Sequence, residues 1–151
     1  MALPRWLRTS GRLSMRRALS QPEGSAPGSL HEVVGGDQWF VDLVNRFYDG
    51  VEQDPVLRPL YPEDLTDSRK WLAMFLQQYW GGSHAYDEQR GHPRLRMRHA
   101  GFVVGERERA AWMTHMTAAV ESGGLEPEAQ EIVMAYFGNT GRQLINDESA
   151  K

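Results

Sequence analysis

The amino-acid sequence predicts an all-α domain that follows a basic, disordered N-terminal extension. From Leu30 onward, apolar residues recur at helical spacing and almost nowhere alternate with polar ones. Glycine pairs separate the periodic segments, as turns between helices require. The stretch 20–29, SQPEGSAPGS, has too few large apolar residues to order itself. The sequence therefore predicts an extension over 1–29, a helical domain over 30–146 and a short tail over 147–151.

Two amphipathic helices are predicted in the first half of the domain. The first begins after Gly35-Gly36, ends near Asp54-Pro55 and has an apolar side formed by Trp39, Phe40, Leu43, Val44, Phe47, Tyr48 and Val51. A helical turn over 56–60 stops at Tyr61-Pro62. Thr66 or Asp67 caps the second helix, whose apolar positions before Gly81-Gly82 are Trp71, Leu72, Phe75, Leu76, Tyr79 and Trp80. A polar stretch over 83–91 follows.

Three further helices are predicted in the second half. Pro93 starts a short helix over 94–99, which Gly101 ends. Gly105 introduces a longer helix that carries Trp112 and ends at Gly123-Gly124. Pro127 opens the last helix, whose buried side is formed by Ile132, Val133, Tyr136, Phe137, Thr140, Leu144 and Ile145.

The composition excludes several classes of protein. There is no cysteine, which excludes disulfides, iron-sulfur clusters, thiolate zinc sites, thiol nucleophiles and covalent haem attachment through C-x-x-C-H. No apolar run approaches the ~18 residues that span a bilayer, so the chain is not expected to be an integral membrane protein.

Positive charge is concentrated at the N-terminus. Residues 1–30 hold five arginines against one glutamate, which gives +4, and because the whole chain carries −3 the remainder carries −7. The arginines fit a transit-like targeting segment, a tether to nucleic acid or anionic lipid, or an unstructured extension, and we favour the last. A secretory signal is disfavoured because Arg16 and Arg17 interrupt the apolar run. No nucleic-acid partner is expected.

A ligand site in such a domain is expected between facing helices. Tyr48, Tyr61 and Trp112 have polar groups on predicted inner faces; each alone is typical of core packing, whereas three that converge on one pocket would indicate binding. The histidines do not have metal-site spacing, since His92 and His99 lie ~10 Å apart along a helix. A single histidine can nevertheless bind iron when a macrocycle supplies the other donors, as in haem proteins. The other histidines are interpreted as structural or solvated: His31, His84, His92 and His115.

Several spaced motifs resemble group II truncated haemoglobins. They are Gly35-Gly36, Arg46-Phe47-Tyr48, the run from Asp54 to Pro62, the run from Phe75 to Gly82, the run from Gly91 to His99, and Ala111-Trp112. The resemblance covers roughly Glu32 to Asn146. Its most specific part is H-P-x-L-R-x-R-H, which ends at His99 and is followed 13 residues later by Trp112.

The resemblance implies a two-over-two helical sandwich around non-covalent haem b. It implies that His99 is the proximal iron ligand and that Tyr48, Tyr61 and Trp112 stabilise a ligand on the distal side. The remaining haem contacts that it implies are Ser68, Leu72, Phe75, Tyr79, Tyr86 and Met97. Of these, Ser68 and Leu72 face the ligand, and Met97 is interpreted as packing rather than as an axial ligand.

One departure concerns the haem propionates. Trp71 stands where relatives often have a basic residue that pairs with a propionate. Arg69, Lys70 or Arg94 is therefore expected to take that role.

The resemblance implies a haem protein that binds O₂, NO, CO or peroxide. Charge-assisted hydrogen bonds from Trp112 and one tyrosine, roughly 1.5–3 kcal/mol each, would slow O₂ release by roughly 10²- to 10⁴-fold. Slow release favours redox chemistry, such as NO dioxygenation or peroxidase-like turnover with an unidentified reductase, over bulk transport.

Two other functions stay open. One is a haem-based gas sensor or partner-docking module tethered through the Arg-rich N-terminus, and the other is a helical interaction module without a cofactor. A cytoplasmic location is expected, because the haem is non-covalent and no export signal is convincing. The oligomeric state is left open.

Overall fold

The computed structural model describes residues 25–91 and 104–145, and the regular structure in these residues is entirely helical. The elements are α1 (Leu30–Val33), α2 (Asp37–Glu52), a 3₁₀ turn (Arg58–Leu60), α3 (Thr66–Tyr79), α4 (Ala85–Arg90), α5 (Glu106–Glu121) and α6 (Pro127–Gln143). Helix α2 packs against α3 and α5, and α5 packs against α6. The all-α prediction is confirmed. The predicted helix over 94–99 lies outside the described residues.

Helix α2 forms the centre of the core because its apolar stripe faces two neighbouring helices. Phe40, Leu43, Phe47 and Val51 are fully buried at the spacing of one helical face. Burying side chains of this size contributes roughly 1.5–3 kcal/mol each. The same face turns Tyr48 inward, where it is 4% exposed.

The long helices begin and end close to their predicted positions, with one difference in capping. The backbone N–H of Thr66 donates to the side chain of Asp64 (2.9 Å), so the cap of α3 is provided by Asp64 rather than by Thr66 or Asp67. Helix α5 begins after Gly105, whose N–H donates to the buried carboxylate of Glu108 (3.1 Å). Pro127 occupies the first turn of α6, as predicted.

Two short helices are absent from the predictions. Helix α1 begins where Ser29 accepts the N–H of Glu32 through its side chain (3.2 Å), and its four residues are too few to show a period. Helix α4 lies within the polar stretch 83–91 and is held by the burial of Tyr86, which is 4% exposed. One apolar anchor in a polar segment leaves no periodic signal.

Residues 25–29, assigned to the extension from sequence, contact the helical body in the structure. The N–H of Ala26 donates to the carbonyl of Gly81 (2.8 Å). Gly81 has φ of +102°, and a Cβ there would lie 2.4 Å from Ser29 Cβ, so both the turn and this close approach require glycine. The chain therefore joins the body before Leu30. The predicted disorder of residues 1–24 lies outside the described residues and stays a prediction.

His31 has a structural role. Its ring is 1% exposed and stacks on Phe40, with ring centroids 5.7 Å apart. Its Nε2 lies 2.5 Å from Asp37 Oδ1, and its Nδ1 is hydrogen-bonded to Ser25. These contacts fasten the residues before α1 to the start of α2. None of the helices in the described ranges is long and apolar enough to cross a membrane.

Candidate functional site

A cavity of about 440 Å³ lies between α3 and α6 and extends to α5. That volume is in the range of small-molecule binding sites. Its walls are mostly aromatic and aliphatic, and they are formed by Tyr48, Tyr61, Asp67, Ser68, Trp71, Leu72, Phe75, Leu76, Tyr86, Arg90, Trp112, Tyr136, Phe137, Thr140 and Leu144. The structure thus places a ligand-sized, largely apolar site between facing helices, where the sequence predicts one.

Three polar-tipped aromatic side chains from different elements meet at one end of the cavity. Tyr48 comes from α2, Tyr61 follows the 3₁₀ turn and Trp112 comes from α5. The hydroxyl of Tyr61 interacts with the hydroxyl of Tyr48 and with the indole N–H of Trp112, which can only donate. The rings of Tyr48 and Tyr61 meet edge to face, with centroids 5.4 Å apart. This convergence is what separates a binding site from ordinary core packing.

The phenols of this cluster are held neutral. Burial raises the pKa of Tyr61 to about 12, although the interactions with Trp112 and Tyr48 act to lower it. Burial also raises the pKa of Tyr48, and the neighbouring Tyr61 raises it further. Both phenols therefore keep their protons at neutral pH. Since Tyr61 accepts from the indole N–H of Trp112, its own proton can be donated either to Tyr48 or to a ligand in the cavity.

The turn that carries Tyr61 is fixed by charged side chains. Asp54 Oδ1 accepts the N–H of Val56 (2.8 Å), while Asp54 Oδ2 lies 2.6 Å from His115 Nε2 on α5. The His115 contact holds the pKa of Asp54 below its ordinary value. Arg58 donates to the carbonyls of Pro62 (2.9 Å) and Glu63 (2.7 Å), beyond Tyr61. These hydrogen bonds fix both ends of the turn that carries Tyr61.

Most of the predicted α3 residues lie at the cavity. Ser68, Leu72 and Phe75 line it, and Tyr86 of α4 joins them with its ring 5.7 Å from that of Phe75. Tyr79 does not line the cavity: it is 52% exposed and packs outside it. The helix ends at Tyr79, and the next residue, Trp80, fills the core. His99 and Met97 lie outside the described residues, so their predicted roles stay predictions.

The basic residues differ from the sequence expectation. Arg69 is directed away from the cavity, where it donates to the side chains of Asn45 (3.0 Å) and Asp49 (3.0 Å). Lys70 lies over the ring of Trp71, 4.7 Å from its centroid, and does not line the cavity. Arg94 lies outside the described residues. Arg90 lines the cavity and stacks on Trp71 at 4.8 Å.

Sequence reasoning did not assign Asp67, Trp71 and Leu76 of α3 to the cavity, and it missed two further groups of cavity residues. Arg90 lies in a polar segment that gave no helical signal. The α6 residues Tyr136, Phe137, Thr140 and Leu144 were recognised as the buried side of the last helix but not as cavity lining, although their i, i+1, i+4, i+8 spacing marks a single face.

Two pairs of packed helices that enclose an aromatic cavity, with convergent donors at one end of it, have the architecture of a globin. The comparisons agree: a family model described as "Bacterial-like globin" matches residues 29–146. The group 2 truncated haemoglobin YjbI of Bacillus subtilis is 36% identical over 128 residues, which cover 85% of this chain and 96% of that protein. The chain therefore belongs to the bacterial-like globin family, among the group II truncated haemoglobins.

Solved structures give the same result. A thermostable haemoglobin from Thermobifida fusca matches with a TM-score of 0.77 and 45% identity, covering 78% of this chain and 97% of that one. A truncated oxygen-avid haemoglobin from B. subtilis matches with a TM-score of 0.74 and 36% identity, covering 78% and 99%. The predicted two-over-two fold is confirmed. The cofactor is haem b, bound non-covalently with its iron.

The described residues fit this cofactor. Aromatic and aliphatic side chains supply the apolar walls that a porphyrin needs. Arg90 adds a cationic group to the cavity wall, which is the charge that a propionate requires, and Tyr48, Tyr61 and Trp112 meet at one end of the cavity. Haem, when bound, supplies the iron at which a diatomic gas is held.

Proposed function

We propose that this globin holds O₂ tightly and uses it, or NO or peroxide, in redox chemistry rather than in bulk transport. The observation that carries the proposal is the convergence of three polar side chains at one end of the cavity: Tyr48 and Trp112 both interact with the hydroxyl of Tyr61, which itself lines the cavity. The B. subtilis relative described as oxygen-avid supports the same conclusion.

The three distal residues act as a set of donors. O₂ held at a haem acquires partial negative charge, and a charge-assisted hydrogen bond is roughly twice as strong as a neutral one. Tyr61 donates its free proton to the ligand. The N–H of Trp112 moves from the neutral oxygen of Tyr61 to the better acceptor, and Tyr48 keeps Tyr61 oriented. CO develops less charge, so the cluster favours O₂ over CO.

The other site roles form part of the same proposal. His99 binds the iron on the proximal side, and Arg90 pairs with a propionate. Ser68 and Leu72 border the ligand, and the small Ser68 leaves room for entry. Phe75 and Tyr86 pack on the porphyrin.

Absorbance and fast mixing test the proposal. The haem-loaded protein should give distinct Soret spectra with O₂, CO and NO, and His99→Ala should lose the histidine–iron stretch in its Raman spectrum. Mixing the oxygenated protein with NO should oxidise the haem and release nitrate, and a reductant should sustain turnover. Spectra that show gas binding without any reaction with NO or peroxide would contradict the redox role.

A gas sensor or partner-docking module is the second candidate function. The observation that favours it is the charge division, +4 in residues 1–30 against −7 in the rest of the chain. A sensor would bind gas without turnover. The reductase partner and the cytoplasmic location stay predictions.

A further inference from the structure

A second concave surface lies outside the haem cavity. It is a groove of about 880 Å³ between the end of α3 and the outer side of α6, here called the α6 groove. Trp80, Ile132 and Tyr136 contribute its apolar surface, and the half-exposed Tyr79 stands at its edge. The groove is separate from the haem cavity but adjoins it, because Tyr136 and Thr140 line both.

The α6 groove carries negative charge. Glu128 and Glu131 line it, and both are exposed on α6. Within residues 25–91 and 104–145, neither carboxylate has an ion pair or a side-chain hydrogen bond, whereas Glu106 and Glu108 on α5 are paired with arginines. The groove therefore combines an apolar surface with two uncompensated carboxylates. Its complement is a segment that has both arginines and large apolar side chains.

Residues 1–24 have that composition, and the chain that follows them lies beside the groove. Besides its five arginines, this segment contains Trp6 and several leucines. Ala26 is hydrogen-bonded to Gly81 (2.8 Å), and Gly81 and Ser29 are themselves lining residues of the α6 groove. The polypeptide before Ser25 therefore starts from the edge of the groove.

The segment is long enough to reach every part of the groove. Arg16 and Arg17 precede Ser25 by eight or nine residues, which extend to about 30 Å at 3.3–3.6 Å per residue. From Glu128 to Gln143, α6 spans about 22 Å at 1.5 Å per residue. A short tether also gives an effective concentration in the millimolar range, which allows weak surface ion pairs to hold the segment.

We propose that residues 1–24 dock in the α6 groove of their own chain. Their arginines pair with Glu128 and Glu131, and their apolar side chains cover Tyr79 and Ile132. Tyr79 packs on Tyr136 with ring centroids 4.3 Å apart, and Tyr136 is a wall of the haem cavity. The docked segment thus forms an outer layer over the α6 side of the cavity. This contact goes beyond the proposed gas chemistry and does not depend on it.

Disulfide trapping in the full chain tests the contact, because the chain has no native cysteine. The variant Leu13→Cys/Asn139→Cys pairs the segment with an exposed groove residue. The variant Leu13→Cys/Gln53→Cys pairs it with an exposed residue at the end of α2 and serves as the control. The groove pair should form an intramolecular disulfide about fivefold faster or more under mild oxidation. Equal rates, or disulfide-linked dimers as the main product, would overturn the proposal.

Charge reversal tests whether the two carboxylates of the α6 groove act specifically or only through the overall negative charge of the chain. When Glu128→Lys/Glu131→Lys is added to Leu13→Cys/Asn139→Cys, the rate of disulfide formation should fall to that of the Leu13→Cys/Gln53→Cys control. Adding Glu63→Lys/Glu121→Lys, the same change at two exposed glutamates away from the groove, should leave the rate unchanged. Equal effects of the two reversals would refute the ion pairs.

Two further measurements test whether residues 1–24 cover Tyr79 and whether they bind a lipid surface instead. Tyr79 should be nitrated by tetranitromethane more slowly in the wild-type chain than in Glu128→Lys/Glu131→Lys, as quantified by peptide mass spectrometry. Phosphatidylcholine vesicles containing phosphatidylglycerol test for a lipid surface. If the full chain sediments with them while trapping in the groove stays at the control rate, the arginines belong to a membrane contact and the proposal fails.

Discussion

Replacing Tyr61 by phenylalanine should speed O₂ release from the haem-loaded protein by roughly 10- to 10²-fold. Tyr61 lines the cavity and interacts with Tyr48 and with the indole N–H of Trp112, and the proposal assigns its hydroxyl as the donor to a ligand there. A charge-assisted hydrogen bond contributes roughly 1.5–3 kcal/mol. At 1.4 kcal/mol per factor of ten, its loss gives the stated range.

The two neighbouring substitutions should have smaller effects, in a fixed order. The N–H of Trp112 already has a neutral acceptor in Tyr61, so its transfer to the ligand exchanges a bond of about 0.5–1.5 kcal/mol for one of about 1.5–3 kcal/mol. Trp112→Phe should therefore speed release by about tenfold. Tyr48 acts through Tyr61, and if such cooperativity contributes about 10–30% of a bond, Tyr48→Phe should change the rate by less than about fivefold.

Stopped-flow displacement of O₂ by CO measures these rates, and CO dissociation displaced by NO is the control. The CO rates should change much less than the O₂ rates, because CO carries less negative charge. A Tyr61→Phe rate within a factor of about two of the wild type would refute the assigned donor. An equal change for CO would indicate a steric cause instead. An effect of Tyr48→Phe as large as that of Tyr61→Phe would refute the assignment of Tyr61, rather than Tyr48, as the donor to the ligand.

Three further predictions concern packing, pH and haem retention. Gly50→Ala would place a Cβ 2.4 Å from Nδ1 of His115, so it should destabilise the fold by about 1–3 kcal/mol in urea unfolding, and His115→Ala in the same chain should remove that penalty. The pKa of Tyr61 is raised to about 12 from an ordinary value of 10.0, so its contribution to the free energy of unfolding is complete below pH 10 and is lost between pH 10 and 12. In urea titrations, the free energy of unfolding of Tyr61→Phe should fall less between pH 10 and 12 than that of the wild type. An equal fall in both proteins would contradict the raised pKa of Tyr61. Arg90→Gln should raise the rate of haem transfer to apomyoglobin about fivefold, whereas Lys70→Gln should not. Equal transfer rates for the two variants would contradict the proposed contact between Arg90 and a propionate.

The long helices could be predicted from the sequence because each buries one face. In α2, Phe40, Leu43, Phe47 and Val51 repeat every three or four residues and are all fully buried. Helices α1 and α4 could not be predicted in this way, because a four- or six-residue helix has too few turns to show a period. Their stability comes from tertiary contacts, such as the burial of Tyr86.

The sequence predicts which residues form the site better than it predicts how their polar groups are arranged. Tyr48, Tyr61 and Trp112 were identified as candidates from residue type and from the resemblance. Residue type alone does not say that the three polar groups come together. Their meeting depends on the position of Tyr61, which the hydrogen bond between Asp54 and His115 fixes across 61 residues of sequence.

Tyr79 and Arg90 show how local periodicity fails at the edge of a site. Tyr79 follows Phe75 by four residues, so the helical period places both on the cavity face, yet α3 ends at Tyr79, where Trp80 takes the core position. Arg90 belongs to a segment that its polarity marks as solvated, yet its guanidinium stacks on Trp71 and lines the cavity. Long cationic side chains cover aromatic surface while keeping their charge near water. Arg90 of α4 therefore places a cation at the cavity wall on the face of Trp71, and this contact is the reason that we propose Arg90 for the propionate role that a tryptophan at position 71 cannot take.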